Sequence, residues 1–349
     1  MADQNHIHVE ISTASIFRVI LIVLFFVLLY LLKDILIILF FAIIIASGIS
    51  PFATWLEKKG IGRLWGVLLL YLTVFGLFAF VLSLIIPFVS QELSQLTTVF
   101  PKIVERLSSS LDTVQQGSPG YFDFVGEMQN MLDVFSNYLQ QFSQSAIGFI
   151  ISVFGGIFSF VGIIIISFYL SVMKRGVEGF LSSVVPEKYE TYAINLWERS
   201  EQKVGRWLQG QMLLALIVGL MVYVILSLMG VKFALVFGIL SMILEIVPGA
   251  GPVLAAIPAV VFAFLQNPTL GLWVLGVFIA VQQIENHILV PLVLGKTTGL
   301  NPVVVILALL IGAKLAGIPG AILGVPLATI IVEMIDDLAK HKESRRVAA

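Results

Sequence analysis

Two clusters of proline and glycine interrupt a stretch that otherwise runs apolar at membrane depth, from Glu245 to Ile331. The first is Pro248-Gly249-Ala250-Gly251-Pro252 and the second is Gly317-Ile318-Pro319-Gly320. Glu245, Glu285, His287 and Lys314 stand among the apolar residues around them. Broken helices and ionisable groups are both costly in lipid, where released backbone groups find no water. They persist where they line a cavity or bind something, as in transporters built on discontinuous helices. The pattern therefore points to membrane transport.

Composition agrees. Of 349 residues, 59% are hydrophobic and 12% charged, against about half and about a quarter in soluble domains. The chain reads as an all-α integral membrane protein. A net charge of −1 supplies no basic face for nucleic acid. With no cysteine there is no disulfide framework and no thiolate for catalysis or metal binding. Gly295-Lys296-Thr297 resembles the end of a phosphate-binding loop, but Val290 stands where its first glycine is due, so no nucleotide is expected. His6 and His8 read as part of a tail, and His341 as part of a charged end, so no metal or other cofactor is expected. No hydrolase elbow or zincin signature occurs, which argues against an enzyme. Energy is then drawn from solute or ion gradients. The apolar run from Ile16 continues into a second apolar run rather than a small-residue cleavage site, and so reads as an anchor.

About 20 apolar residues cross the hydrocarbon. On that measure about eight helices are expected, near 15–32, 34–50, 64–88, 146–173, 210–230, 233–265, 270–290 and 300–338. The sixth and eighth are too long for one crossing and contain the breaks, each a kinked span or a re-entrant hairpin. Basic residues follow the second helix (Lys58, Lys59, Arg63), end the fourth (Lys174, Arg175) and close the chain (Lys340, Lys342, Arg345, Arg346). Segment 88–145 sets Lys102 and Arg106 against six acids. The positive-inside rule then places both termini in the cytoplasm and that segment outside. The chain divides into helices one to three (1–90), an outer helical hairpin (91–145), and the fourth helix with a cytoplasmic amphipathic helix (146–209). A transport region (210–340) and a basic tail (341–349) follow.

The outer hairpin is read from Leu93, Leu96, Phe100, Ile103 and Leu107, an apolar stripe at helical spacing. A turn at Gly117-Ser118-Pro119-Gly120 follows, and a second stripe runs from Val125. It forms either a lid on its own subunit or a contact between subunits. Ser145, Gly148, Ser152, Gly155, Ser159 and Gly162 make one small-residue seam on the fourth helix, for packing within the subunit or between subunits. Pro186 opens an amphipathic helix expected to lie along the membrane surface before Gln209-Gly210-Gln211.

A shift of 69 residues sets Gly251 on Gly320 and Glu245 on Lys314, which suggests an internal repeat and a Glu245–Lys314 ion pair. An unpaired ion at the bilayer centre costs about 2.5–3.5 kcal/mol on insertion scales, so each of these needs a partner, water or a substrate. Between the breaks, Gln282, Glu285 and Asn286 share a helical face. They either bind a polar solute, relay protons with His287, or bond to neighbouring helices.

Glu245-Ile246-Val247-Pro248 through Gly251-Pro252, Ile284-Glu285-Asn286, Leu300-Asn301-Pro302 and Gly317-Ile318-Pro319-Gly320 together resemble the hallmark segments of the autoinducer-2 exporter family of bacterial permeases. The resemblance implies a bacterial inner-membrane protein in a lipid bilayer, and a homo-oligomer, suggested to be a pentamer. It also implies elevator-like movement of the C-terminal hairpins. The implied cargo is autoinducer-2 or, as in other members, sodium or lithium exchanged for protons. A third reading is a scaffold that transports nothing. The expected pathway comprises Glu245, Pro248, Gly249, Gly251, Pro252, Gln282, Glu285, Asn286, Asn301, Lys314, Pro319 and Gly320. Two positions depart from the family pattern: Gly249 stands where an aromatic residue often follows the proline, and Asn301 where a histidine is common.

Overall fold

The computed structural model describes residues 13–81, 156–173, 175–294 and 300–347, with isolated positions 83, 87 and 91. Nearly all of the expected outer hairpin lies outside these residues, as do Ser145, Gly148, Ser152 and Gly155 of the seam. Among the described residues there is helix and no strand.

The helices are α1 (Thr13–Leu31), α2 (Lys33–Lys58), α3 (Arg63–Val81), α4 (Ile157–Val172) and α5 (Gly176–Val184). They continue as α6 (Glu187–Leu228), α7 (Ala234–Leu244), α8 (Gly251–Gln266), α9 (Pro268–Ile284), α10 (Val290–Val293) and α11 (Pro302–Val347). Five of them are long and apolar enough to cross a membrane, six if α4 and α5 form one bent span. The chain is a multi-pass membrane protein, and the described residues contain five or six of the eight or so expected spans.

The expected spans missing from that count are α1, α4 and the segment that forms α7 and α8. At 1.5 Å per residue, α7 rises only about 17 Å and α8 about 24 Å, short of the roughly 30 Å hydrocarbon core. They fold back on each other across Glu245–Ala250, with the Phe233 and Phe262 rings 4.9 Å apart edge to face. The open end of this hairpin is tied by Gln266, whose amide bridges the Lys232 N–H and the Gly230 carbonyl at 3.1 and 2.9 Å. Phe233 enters α7 at φ 63°, a strained value for a bulky residue, and its ring is buried.

α11 turns back as well. Ala316 (φ −143°) and Gly317 (φ 62°) leave helical geometry, and the left-handed value at 317 suits only glycine without strain. A Cβ at Gly312 would lie 2.1 Å from the Gly320 carbonyl oxygen, and one at Gly324 would lie 2.4 Å from that of Ala308. In a straight helix those partners stand about 12 and 24 Å apart along the axis. The two arms are therefore antiparallel and zipped on glycine. Both sequence breaks are re-entrant hairpins, not kinks.

The hairpins enter from opposite ends. The first hangs from the C-terminal end of α6, through Gly230 and Gln266. The second arm of the other returns to the N-terminal half of α6, where Arg199 binds Asp337 and Glu333 and Lys203 binds Glu333. Ile246 and Val247, at the tip of the first hairpin, pack in one cluster with Ile322, Leu323 and Val325 of the second. The two broken segments thus form two hairpins that share one apolar cluster inside the protein.

α6 is the axis for both. It runs unbroken for 42 residues, about 63 Å, so residues after Pro186 do not lie along the membrane surface as expected. They continue α6 as a rigid extension, whose polar face is used by α11. Against the other side packs α2, joined by Ile163 of α4, and α3 packs in turn on α2 and α4. There Tyr71 hydrogen-bonds Ser167 at 2.9 Å, and Arg63 donates to the Ser171 carbonyl at 2.9 Å. Gly162 faces Ile38 of α2 at 3.7 Å, so this part of the small-residue seam packs within the subunit.

Gly320→Val places its Cβ about 2.0 Å from the Gly312 carbonyl oxygen, where the arms have no room. We expect loss of folded protein in detergent, or a clear fall in thermal stability, given that overpacking costs about 1–3 kcal/mol or more. Gly276→Ala, with nothing within 4 Å, is expected to leave the melting temperature unchanged.

Candidate functional site

Where α7 stops, a polar cluster begins. Glu245 is the first residue beyond the helix and is 1% exposed; Glu285 is 3% exposed. Their carboxyl groups lie beside one another. Two carboxylates brought together away from water repel one another, which makes the pair a candidate for holding a shared proton.

Local chain chemistry places each member. Pro248 and Gly249 end any continuation of α7, and Gly249 takes φ 75° at the tip. Gly251 then permits the return: a Cβ there would lie 2.0 Å from the Leu244 carbonyl oxygen. This is the same close approach that Gly320 makes in the second hairpin. Glu285 opens a five-residue π-turn, Glu285–Leu289, closed by the Val290 N–H on the Glu285 carbonyl. Pro291 has no N–H to continue the ordinary ladder there, which favours the wider turn. Glu285 continues the buried stripe Gly271, Val274, Phe278 and Val281 of α9 at three- and four-residue steps, while Asn286 and His287 stay exposed.

The third wall is α6. Gln211 is 1% exposed, and its Nε2 donates to the main-chain carbonyl of Glu245, a group released by the helix break. Two residues earlier, Gln209 donates to the Gly48 carbonyl of α2 at 2.7 Å. Gly210 between them admits Leu294, whose methyl would lie 2.5 Å from a Cβ. The cluster is short of donors. Gln211 Oε1, Ser241 Oγ, Glu245 Oε2 and Glu285 Oε2 are all buried without a hydrogen-bond partner.

Several expected pathway residues gather here. Glu245, Gly251, Pro252 and Glu285 are buried; Gln282 lies beside Glu285 and donates to Asn286 at 3.3 Å. Pro248 and Gly249 form the tip of the first hairpin. Asn301, Lys314, Pro319 and Gly320 belong to the second hairpin. There Asn301 caps the first arm by accepting the Val303 N–H at 2.9 Å. Lys314 is exposed, and the expected Glu245–Lys314 pair does not form, because Glu245 meets Glu285 instead. Gln211 and Ser241 were not among the expected residues. The signal for Gln211 is an amide opening the apolar run Met212–Leu228; a lone serine in α7 carries almost none.

Comparison with known proteins places this geometry in a family. The sequence model of the AI-2E family transporters matches residues 19–340. The Bacillus subtilis (strain 168) protein YueF is 28% identical over 292 residues, covering 81% of this chain and 78% of YueF. YrrI of the same organism is 26% identical over 298 residues, 84% of each chain. The Escherichia coli (strain K12) AI-2 transport protein TqsA is 34% identical over 138 residues, 39% of this chain and 40% of TqsA. The chain belongs to the AI-2E family of membrane transporters.

A shared proton between Glu245 and Glu285 has a spectroscopic consequence. Infrared difference spectra of the purified protein should contain a protonated-carboxyl band that disappears in the E245Q/E285Q double variant. Identical spectra from both proteins would mean that the pair holds no proton.

Proposed function

We propose that this member of the AI-2E family is a secondary transporter that exports a small polar solute of the autoinducer-2 kind. In this reading the two opposed hairpins move in an elevator-like way around the Glu245–Glu285 pair. The observation that carries it is the buried carboxyl pair at the broken tip of a half-length hairpin. A protein that only had to stand in the bilayer would gain nothing from an arrangement whose polar groups cost several kcal/mol to bury unpaired. The pair offers a proton that can be given up or taken back as the hairpins expose it to one side or the other. Released carbonyls and the unpaired oxygens around it offer acceptors for a hydroxyl-bearing solute. The positive-inside rule puts the Arg199 and Lys203 end of α6, and both chain termini, in the cytoplasm of a bacterial inner membrane. α1 exposes Phe17 through Leu31 along nearly its whole surface, which suits lipid and neighbouring copies in a homo-oligomer, with a pentamer the family expectation.

A second reading is favoured by the donor shortage itself. Carboxylate, amide and hydroxyl oxygens without partners are the ligands that hard cations take. Exchange of sodium or lithium for the proton of the pair is the antiporter version of the same site.

One measurement separates these readings: transport by the purified chain in liposomes, following internal pH and autoinducer-2 content while sodium is varied. Furanone movement that E285Q lowers by about tenfold or more at equal incorporation supports export; a loss of that size corresponds to about 1.4 kcal/mol. Sodium-dependent proton movement without furanone flux replaces export with antiport. Neither flux, in protein that is folded and inserted, supports the scaffold and removes transport.

A further inference from the structure

Gln211 stands between the part of the protein that is held and the part that is broken. On the held side, α6 is fixed to α2 by the neighbouring Gln209–Gly48 bond, and by the close crossing of Gly205, whose Cβ would lie 2.3 Å from the Ser47 carbonyl oxygen. On the broken side, Gln211 Nε2 is bonded to the Glu245 carbonyl. The orientation of the amide follows from chemistry, because a carbonyl accepts and only the nitrogen can donate. The amide is planar, so fixing Nε2 also fixes Oε1. That oxygen is buried without a partner, as is one carboxyl oxygen each of Glu245, whose carbonyl the amide holds, and of Glu285.

An unsatisfied buried acceptor is costly, because it has lost water and gained no donor. Three together, all acceptors, call for an occupant that brings donors or positive charge. When such an occupant binds Oε1, the amide is held at both ends. When it leaves, only the bond to the hairpin break remains, and the amide is free to rotate away from it.

We propose that Gln211 is a positioning residue that couples occupancy of the Glu245–Glu285 site to the hold on the first hairpin. Its Nε2 secures the break, and its Oε1 receives a donor from the occupant. This rests on reading the carboxyl pair as the transport site, but it concerns a different step: how the hairpin senses that the site is filled.

The test is hydrogen–deuterium exchange of the hairpin tip, residues 244–251, in detergent, corrected for intrinsic rates. Glu285→Gln puts an amide N–H₂ where an unpaired carboxyl oxygen stands, and so mimics an occupant that donates. With Gln211 present, E285Q should slow exchange at the tip severalfold. Q211L should speed exchange at the tip, and adding E285Q to it should change little. That non-additivity marks the two residues as energetically coupled. A purely structural Gln211 predicts additive effects, and additive effects overturn the proposal. Should Q211L fail to fold, Q211E is read in the same cycle. It keeps an acceptor but removes the donor, and equal tip exchange in Q211E and the parent also overturns the proposal. Transport need not be measured. Coupling in a protein that moves no solute would retire the transport reading and leave this one. Additive exchange in an active transporter would do the reverse.

Discussion

Everything distinctive in this protein follows from one rule of the bilayer: a main-chain group released from a helix must find its partner inside the protein. α7 stops at Leu244 after rising about 17 Å, and the Glu245 carbonyl loses its place in the ladder. A helix cannot end there unaided. Gln211 of α6 supplies the missing donor, and burying that amide obliges the rest of the site to be polar as well. The carboxyl pair, the unpaired serine hydroxyl and the π-turn are gathered round a defect that the chain maintains rather than repairs. The alternative, a continuous apolar helix, costs nothing in unsatisfied groups and offers no place to bind.

α6 bears the consequences. Its length lets one rigid element serve both hairpins, the first from its C-terminal end and the second through Arg199 and Lys203. Ion pairs of this kind are individually worth about 0–1 kcal/mol where water reaches them, and the Arg199 side chain is 43% exposed. They do not hold the second hairpin by strength. They set its register, because Asp337 and Glu333 are four residues apart and meet bases four residues apart on α6. A fixed register at that end leaves the glycine-zipped tip as the part with freedom to shift.

Much of this was legible in the sequence, for identifiable reasons. The breaks announced themselves because proline and left-handed glycine are local signals. The carboxylates did so because charge among apolar residues is rare. The sequence left open whether the breaks are kinks or hairpins, because that depends on contacts between residues 8 and 16 apart, such as Gly312–Gly320 and Ala308–Gly324. Such contacts leave only small residues behind, and small residues are common in membrane helices. The pairing of Glu245 went wrong for a related reason. The repeat puts Lys314 at the matching position, and opposite charges invite a bond, but matching positions in opposed hairpins lie on different arms facing different neighbours. The partner came instead from the end of α9, where Glu285 continues the buried stripe Val274, Phe278 and Val281; a helical wheel shows that face but not which helix lies against it. Gln211 was passed over because one glutamine at the membrane edge reads as an ordinary interfacial residue until the carbonyl it serves is known.

The two hairpins also explain why the apolar length of the chain overstates its number of crossings. A segment of about 33 residues carries enough hydropathy for one long span, and a hairpin spends the same residues going halfway and returning. Each tip then has to find its partners inside the protein. Ile246 and Val247 lie in one apolar cluster with Ile322, Leu323 and Val325, where contacts are non-directional. The directional contacts of the first hairpin lie elsewhere, at Gln211 on the break and at Gln266 at the base.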